Sequence, residues 1–311
     1  MANIGFIGIG LMGLPMCRRL LAAGCKVSVW NRNPQKCQPL TQLGAQHVSD
    51  LPSLAQAVDV IMLCVSDSHS VMQVADKLFP HIRAGQCIID FSSISPDTTR
   101  QLHARAAQQA VSWLDSPVSG GVAGAQAGTL AIMIGGDEAQ VDKVRPVLSP
   151  LAQSVTYMGP SGTGQTTKIC NQMLVSCNVL VMAEVMAMAQ RSGVDASRIP
   201  EALKGGFADS IPLQLTGTRM AQQDFTEVKW HVKTLLKDLD MANTLARQTG
   251  SATPMAGLGA QLMRQHASKG YSEQDPATLV TLYQAEHNQA EHNQAEHNQA
   301  EHNHAPQKDK E

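Results

Sequence analysis

The amino-acid sequence predicts a mostly parallel, doubly wound α/β sheet followed by an all-α C-terminal domain. Three observations predict it. Short apolar runs alternate with helix-period segments as far as about residue 160. A glycine turn, "GFIGIGLMG", joins the first run to the first helical segment. Beyond Gln165, apolar residues recur only at helical spacing. A chain of 311 residues is also long for a single compact core, which favours two domains.

Taken in order, "NIGFIGI" (3–9) reads as a strand and "LMGLPMCRRLLAAG" (11–24) as a helix ending at Gly24. "KVSVWN" (26–31) is a second strand, and "PQKCQPLTQLGA" a broken helix. "VDVIMLCV" (58–65) and "QCIIDFS" (86–92) are continuous apolar runs, as expected for parallel strands buried on both faces. "VSWLDSPV" (111–118) and "TLAIMIGG" (129–136) complete the strands. "SVTYMGPS" offers little of the βαβ frame that a phosphate loop needs. From Gln165 to about Ser192 a helix runs without internal proline or glycine, about 40 Å at the usual rise. The expected domains are 1–161, 162–283 and a tail, 284–311. The tail repeats "QAEHN" four times and holds five of the eleven histidines. It carries no apolar residue larger than alanine, so a disordered appendage is expected there.

Composition excludes several classes. A net charge of -2 and 4% aromatic residues leave neither an electrostatic footprint nor a stacking platform for nucleic acid. No run of about 18 apolar residues is evident, so no membrane span is expected. The N-terminus starts directly on a strand, with no secretory signal. Seven scattered cysteines without a C-x-x-C pair suit reduced thiols in the cytoplasm. Cys170 reads as a small packing residue on a buried helix rather than as a nucleophile.

Gly8-x-Gly10-x-x-Gly13 follows a strand and opens a helix, the context in which this motif holds a dinucleotide. Gly8 permits the tight turn, Gly10 lets backbone approach a pyrophosphate, and Gly13 lets the helix pack on the strand. The helix start, with Leu11 and Met12, then faces the phosphates. An acid closing the second strand would select NAD. Asn31 and Arg32 stand there instead, and an amide beside a guanidinium suits the 2′-phosphate of NADP, with NAD as the alternative. Arg32 as a mere solvated turn residue is the competing reading. After the strand at 111–118, Ser119, Gly120 and Gly121 form a small-residue loop whose N–H groups and hydroxyl can hold a carboxylate. A plain surface loop is the alternative.

"GTGQTTKICNQ" (162–172) is not a P-loop, because three residues separate Gly164 from Lys168. Lys168, Asn171 and Gln172 share one helix face. Reduction of a carbonyl by hydride generates an alkoxide, which a partly desolvated lysine can protonate while amides orient substrate oxygens. A lysine snorkelling from a buried helix accounts equally well for the spacing. Lys233 and Lys237, one turn apart, read as a solvated face.

Together, "GFIGIGLMGLPM", "DSPVSGGVAGAQAGTL", "GTGQTTKICNQ" and "KDLDMA" resemble the β-hydroxyacid dehydrogenase family, the group of 3-hydroxyisobutyrate dehydrogenase and tartronate semialdehyde reductase. The resemblance covers about residues 2–283. It implies a Rossmann domain, a long helix, an all-α domain, a small carboxylate substrate, and a homodimer or homotetramer with sites near the interdomain cleft. It makes Lys168 the general acid/base and Ser119, Gly120 and Gly121 the carboxylate site. It puts Val65 and Ser93 on the nicotinamide side and Lys237 near cofactor and substrate. Many members carry Asn-Asn where this chain has Asn171-Gln172. That pair, "DFSSISP" and "GGFADS" look like tartronate semialdehyde (2-hydroxy-3-oxopropionate) reductases. The rivals are 3-hydroxyisobutyrate, threonate-type or sulfonated substrates, an imine reductase, and a non-catalytic NADP-binding module. The retained lysine argues against the last two.

Overall fold

The computed structural model describes residues 3–283; the repeat tail, whose disorder the sequence predicts, lies outside them. The described chain separates into two compact units, with the division between Cys170 and Asn171.

The first unit contains β1 (Asn3–Ile7), α1 (Gly13–Ala22), β2 (Lys26–Trp30), α2 (Gln38–Thr41), β3 (Gln46–His47), α3 (Leu51–Ala57), β4 (Val60–Leu63) and α4 (Ser68–Leu78). It continues through β5 (Cys87–Asp90), α5 (Pro96–Ala107), β6 (Ser112–Asp115), β7 (Val118–Ser119), α6 (Gly121–Ala127), β8 (Leu130–Gly135), α7 (Glu138–Leu148) and β9 (Ala152–Gly159). The strand order is β3-β2-β1-β4-β5-β6-β8-β7, with β9 also on β8. Strands from β3 through β6 are parallel, β8 runs antiparallel to β6 and β7, and β9 is parallel to β8. This is the expected mostly parallel α/β sheet.

Side-chain alternation along each strand feeds two cores, one on each face. Ile4, Phe6, Val60, Met62 and Ile89 fill one layer. Ile7, Ile61, Leu63, Ile88 and Trp113 fill the other. The helices start where short polar side chains can satisfy free N–H groups. Asp50, Asp67, Ser95 and Asp137 accept from Ser53, Ser70, Thr98 and Gln140 at the starts of α3, α4, α5 and α7.

Two strands escape the sequence pattern. β3 is only two residues long. β9 covers a stretch outside the expected strands, and its residues are all exposed or half-exposed. It pairs with the buried β8 and lays Val155 and Tyr157, partly buried, against the core.

α8 (Thr163–Arg191) is one unbroken helix of 29 residues. The second unit, from Asn171, holds the rest of α8 with α9 (Ile199–Leu203), α10 (Thr218–Gln222), α11 (Val232–Thr249) and α12 (Pro254–His266), joined by short 3-10 and π turns. Among the described residues it contains no strand. Val179, Met182, Ala183 and Met186 of α8 pack with Leu235, Leu239, Ala260 and Met263. A buried ion pair, Arg219 to Asp275 at 3.0 Å, ties α10 to the segment after α12.

Two expectations need correction. α8 is long and apolar enough, by length and composition, to cross a membrane. Scattered polar residues hid this from a search for unbroken apolar runs, and the core of the second unit takes up part of its apolar surface. Cys170 is exposed, not buried. Ile169 takes the inward position beside it, and the helical turn carries Cys170 outward.

Candidate active site

The turn after β1 has little tolerance for side chains. Gly8 has φ +100°, and a Cβ there would lie 2.2 Å from the Cys64 carbonyl oxygen. A Cβ on Gly13 would lie 2.0 Å from the Gly8 carbonyl oxygen. Gly10 differs: a Cβ there would meet nothing within 4 Å. The outer glycines are therefore needed for packing, whereas Gly10 faces open space, as a backbone that must admit a pyrophosphate does. Leu11 is exposed, Met12 is half-buried, and α1 begins at Gly13.

Asn31 closes this turn from the side. The Ile9 N–H donates to its Oδ1 at 2.9 Å, and its Nδ2 donates to the Asn33 carbonyl at 2.9 Å. The amide expected to face a ribose thus holds the glycine turn against the end of β2. Arg32, next along, is exposed.

The C-terminal ends of β4, β5 and β6 are linked by buried polar groups. The Val65 N–H donates to Ser92 Oγ at 3.0 Å, and the Ser92 N–H donates to Asp90 Oδ1 at 2.9 Å. Asp90 and Asp115 face each other across β5 and β6, and both are fully buried. Asp115 accepts from the N–H groups of Gly162 at 2.8 Å and Gln165 at 2.9 Å. The start of α8 is thus held by a carboxylate of the chain itself, at the helix end that favours anions.

This explains the glycines of "GTGQTTK". A Cβ on Gly164 would lie 2.5 Å from the Met133 carbonyl oxygen, and one on Gly135 would lie 2.8 Å from Asp115 Oδ1. The glycines let the helix start press onto the strand ends; no phosphate is involved. Burial pushes the Asp115 carboxyl up, against the lowering effect of the N–H groups of Gly162, Gln165 and Gly164. Burial pushes Asp90 up to about 7, with Ser92 opposing the shift and the Asp115 carboxylate adding to it.

Gln165 completes the linkage. Its Nε2 donates to the Ser92 carbonyl at 2.7 Å, and its Oε1 accepts from the Ile94 N–H at 3.1 Å. Ser93, half-buried, lies between those two groups. Lys168, also half-buried, follows one turn later on α8. The structure therefore places the glycine turn, Val65 and Ser93 at adjoining strand ends, with Lys168 one turn into the helix fastened to them. That is where open α/β sheets take ligands.

Ser119 pairs with Ala131 across β7 and β8 and is followed by two glycines of positive φ, Gly120 at +127° and Gly121 at +60°. A Cβ on Gly121 would meet nothing within 4 Å. In the second unit, Asn171 Nδ2 donates to Gln172 Oε1 at 2.9 Å, and Gln172 Nε2 donates to Asp238 Oδ2 at 2.5 Å. Lys237 Nζ lies 3.1 Å from Asp238 Oδ1. A buried carboxylate on α11 thus gathers Asn171, Gln172 and Lys237. Lys233 instead pairs with Glu273 at 2.6 Å.

Sequence reasoning passed over Asp90, Ser92, Asp115, Gln165 and Asp238. They show in the sequence only as polar letters at the ends of apolar strands (Asp90, Ser92, Asp115) or on helices (Gln165, Asp238).

Comparison with known proteins agrees with this geometry. The model for the NAD binding domain of 6-phosphogluconate dehydrogenase matches residues 3–159. The model for the NAD-binding domain of NADP-dependent 3-hydroxyisobutyrate dehydrogenase matches residues 162–283. The chain belongs to the β-hydroxyacid dehydrogenase family. It is 35% identical over 281 residues to the 2-hydroxy-3-oxopropionate reductase of Escherichia coli, covering 89% of this chain and 96% of that one. It is 31% identical over 299 residues to the NAD-dependent L-serine dehydrogenase of Pseudomonas aeruginosa, covering 93% and 100%. The structure of Mycobacterium tuberculosis 3-hydroxyisobutyrate dehydrogenase with L-serine superposes with a TM-score of 0.84 at 28% identity, over 92% of this chain and all of that one. As a member of this family, the chain is an NAD(P)-dependent 3-hydroxyacid dehydrogenase.

Proposed function

We propose that this dehydrogenase reduces tartronate semialdehyde (2-hydroxy-3-oxopropionate) with NADPH, using Lys168 as the proton donor. The observation that carries the reading is the placement of Lys168. It stands half-buried one turn past a helix start that Asp115 and Gln165 fasten to the ends of β5 and β6.

The residues present fit a dinucleotide: Gly8, Gly10, Leu11, Met12 and Gly13 would hold the pyrophosphate, and Arg32 the 2′-phosphate. Asn31 would shape the turn, Val65 and Ser93 would flank the nicotinamide, and Lys237 would add positive charge. A bound nicotinamide supplies hydride transfer to the aldehyde carbon. Lys168 gives its proton to the aldehyde oxygen, where negative charge develops, and its ammonium stabilises that charge beforehand. Ser119 with the N–H groups of Gly120 and Gly121 holds the carboxylate, and Asn171 and Gln172 orient the remaining oxygens.

Within the family, the substrates named for similar proteins share a carboxylate, a C2 substituent and a C3 alcohol. L-serine, with an amino group at C2, is therefore the second reading; it occurs in the names of two of the proteins compared above. 3-Hydroxyisobutyrate carries a methyl group at that carbon, whereas threonate keeps a C2 hydroxyl and extends the chain at C3. We further propose a homodimer or homotetramer. Leu174, Val181 and Met188 of α8 are exposed at seven-residue intervals, an apolar stripe suited to a second copy. Seven free cysteines suit the reducing cytoplasm.

The test is NADPH and NADH turnover with tartronate semialdehyde, methylmalonate semialdehyde, succinic semialdehyde and sulfolactaldehyde, and the reverse reaction with L-serine. Lys168→Ala is measured alongside. We expect the highest kcat/KM for tartronate semialdehyde with NADPH, a loss in kcat of about 10²-fold or more in Lys168→Ala, and unchanged NADPH affinity. A preference for L-serine would replace the substrate, and undiminished turnover in Lys168→Ala would remove the lysine from the chemistry.

A further inference from the structure

We propose that Gln165 is a positioning residue, whose side-chain amide grips the backbone on both sides of Ser93 and sets the loop after β5 in register with Lys168. The inference rests on the reading of Lys168 as proton donor and deepens it.

Gln165 is 1% exposed. Its Nε2 donates to the Ser92 carbonyl and its Oε1 accepts from the Ile94 N–H, so one planar amide closes two backbone groups flanking a single residue. Its own N–H is held by Asp115. Ser92 passes the restraint on, since its hydroxyl accepts from the Val65 N–H at the end of β4. Two loops assigned to the nicotinamide side and the helix carrying the proton donor are therefore tied through one side chain. A methionine would fill much the same space, but it would leave both backbone groups unpaired and the loop free to shift. The reacting atoms tolerate little movement: misplacement by about 1 Å costs on the order of 10² in rate.

The variants are Gln165→Met, which removes both hydrogen bonds, and Gln165→Glu, which keeps the acceptor and turns the donor into a second oxygen against the Ser92 carbonyl. Four readouts apply: amide hydrogen exchange at Ile94 in the protein without nucleotide, NADPH affinity by calorimetry, kcat and KM, and the double variant with Lys168→Ala. We expect exchange at Ile94 to rise about tenfold or more in Gln165→Met, which removes its acceptor, and NADPH affinity to stay within about threefold in both variants. We expect kcat to fall on the order of 10-fold to 10²-fold with KM little changed. The double variant should lose no more than about threefold beyond Lys168→Ala alone, because a positioning residue has nothing left to position. Faster exchange with an unchanged kcat would overturn the proposal. So would losses that multiply in the double variant, or failure of both Gln165 variants to fold, which would assign the side chain to stability alone. Lys168→Ala measured singly separates the two readings. Full activity there sinks the lysine assignment, whereas its collapse beside undiminished Gln165 variants sinks only the present inference.

Discussion

At the scale of single residues, two side chains have a measurable signature outside the reaction. Asp90 is fully buried, accepts from the Ser92 N–H and leaves Oδ2 without a partner. Burial pushes its carboxyl up to about 7. Between the ordinary carboxylate range and about 7 the folded protein therefore binds more protons than the unfolded chain. Stability falls as pH rises through that window and stays low above it. Asp115 faces the same group and opposes its ionisation. Asp90→Asn keeps the acceptor for Ser92 and cannot ionise. Its unfolding free energy should match the wild type near pH 4 and exceed it increasingly towards pH 8, by a difference on the order of a few kcal/mol; parallel curves of stability against pH across that range would refute the argument. Arg32 gives the second signature. It is exposed and follows Asn31, where an NAD-selective strand would end in an acid. Arg32→Ala should raise KM for NADPH about tenfold or more and leave KM for NADH nearly unchanged, which steady-state kinetics with both nucleotides would show.

At the scale of elements, the start of α8 is the joint on which the first unit's site depends. Gly164→Ala would drive a Cβ to 2.5 Å from the Met133 carbonyl oxygen and 2.8 Å from the Asp115 carbonyl oxygen. Both obstacles are backbone, so α8 must move away from β6 and β8. We expect a loss of about 2 kcal/mol or more in stability together with a fall in kcat, read by chemical denaturation and turnover. A variant with wild-type stability would show that the joint is slack. The same joint shows what the sequence could and could not reveal. The glycine turn was legible because its residues are adjacent and its physics is local. The buried parallel strands were legible because two-sided burial writes an unbroken apolar run. β9 was not, since its exposed residues are mostly polar, its inward Val155 and Tyr157 are only partly buried, and its place is set by pairing with β8. Gln165 and Asp115 were not, since their partners lie 71 or 73 residues and 47 or 50 residues away. A lone glutamine on a helix carries no local sign of a contact made at that distance. Asp238 was hidden in the same way, 66 residues from Gln172.

At the scale of the whole molecule, α8 must satisfy more than one environment. Its inward residues, among them Val179, Met182, Ala183 and Met186, are taken up by the core of the second unit. Leu174 at 74%, Val181 at 45% and Met188 at 65% exposure are not. Their interval of seven residues keeps them on one face over two heptads, a pattern that pays off only against another surface. Burying one such side chain contributes about 1.5–3 kcal/mol, so the stripe can supply a large part of the energy a stable dimer needs. A charge in its middle has no such outlet: Val181→Glu would have to be desolvated on association but stays hydrated in a lone chain. The variant should sediment as a smaller species at micromolar concentration while the wild type sediments as a dimer or tetramer. Its hydrogen exchange in the core of the second unit should stay as slow as in the wild type, which separates loss of assembly from loss of fold. An unchanged sedimentation coefficient in Val181→Glu would move the interface off this face of α8.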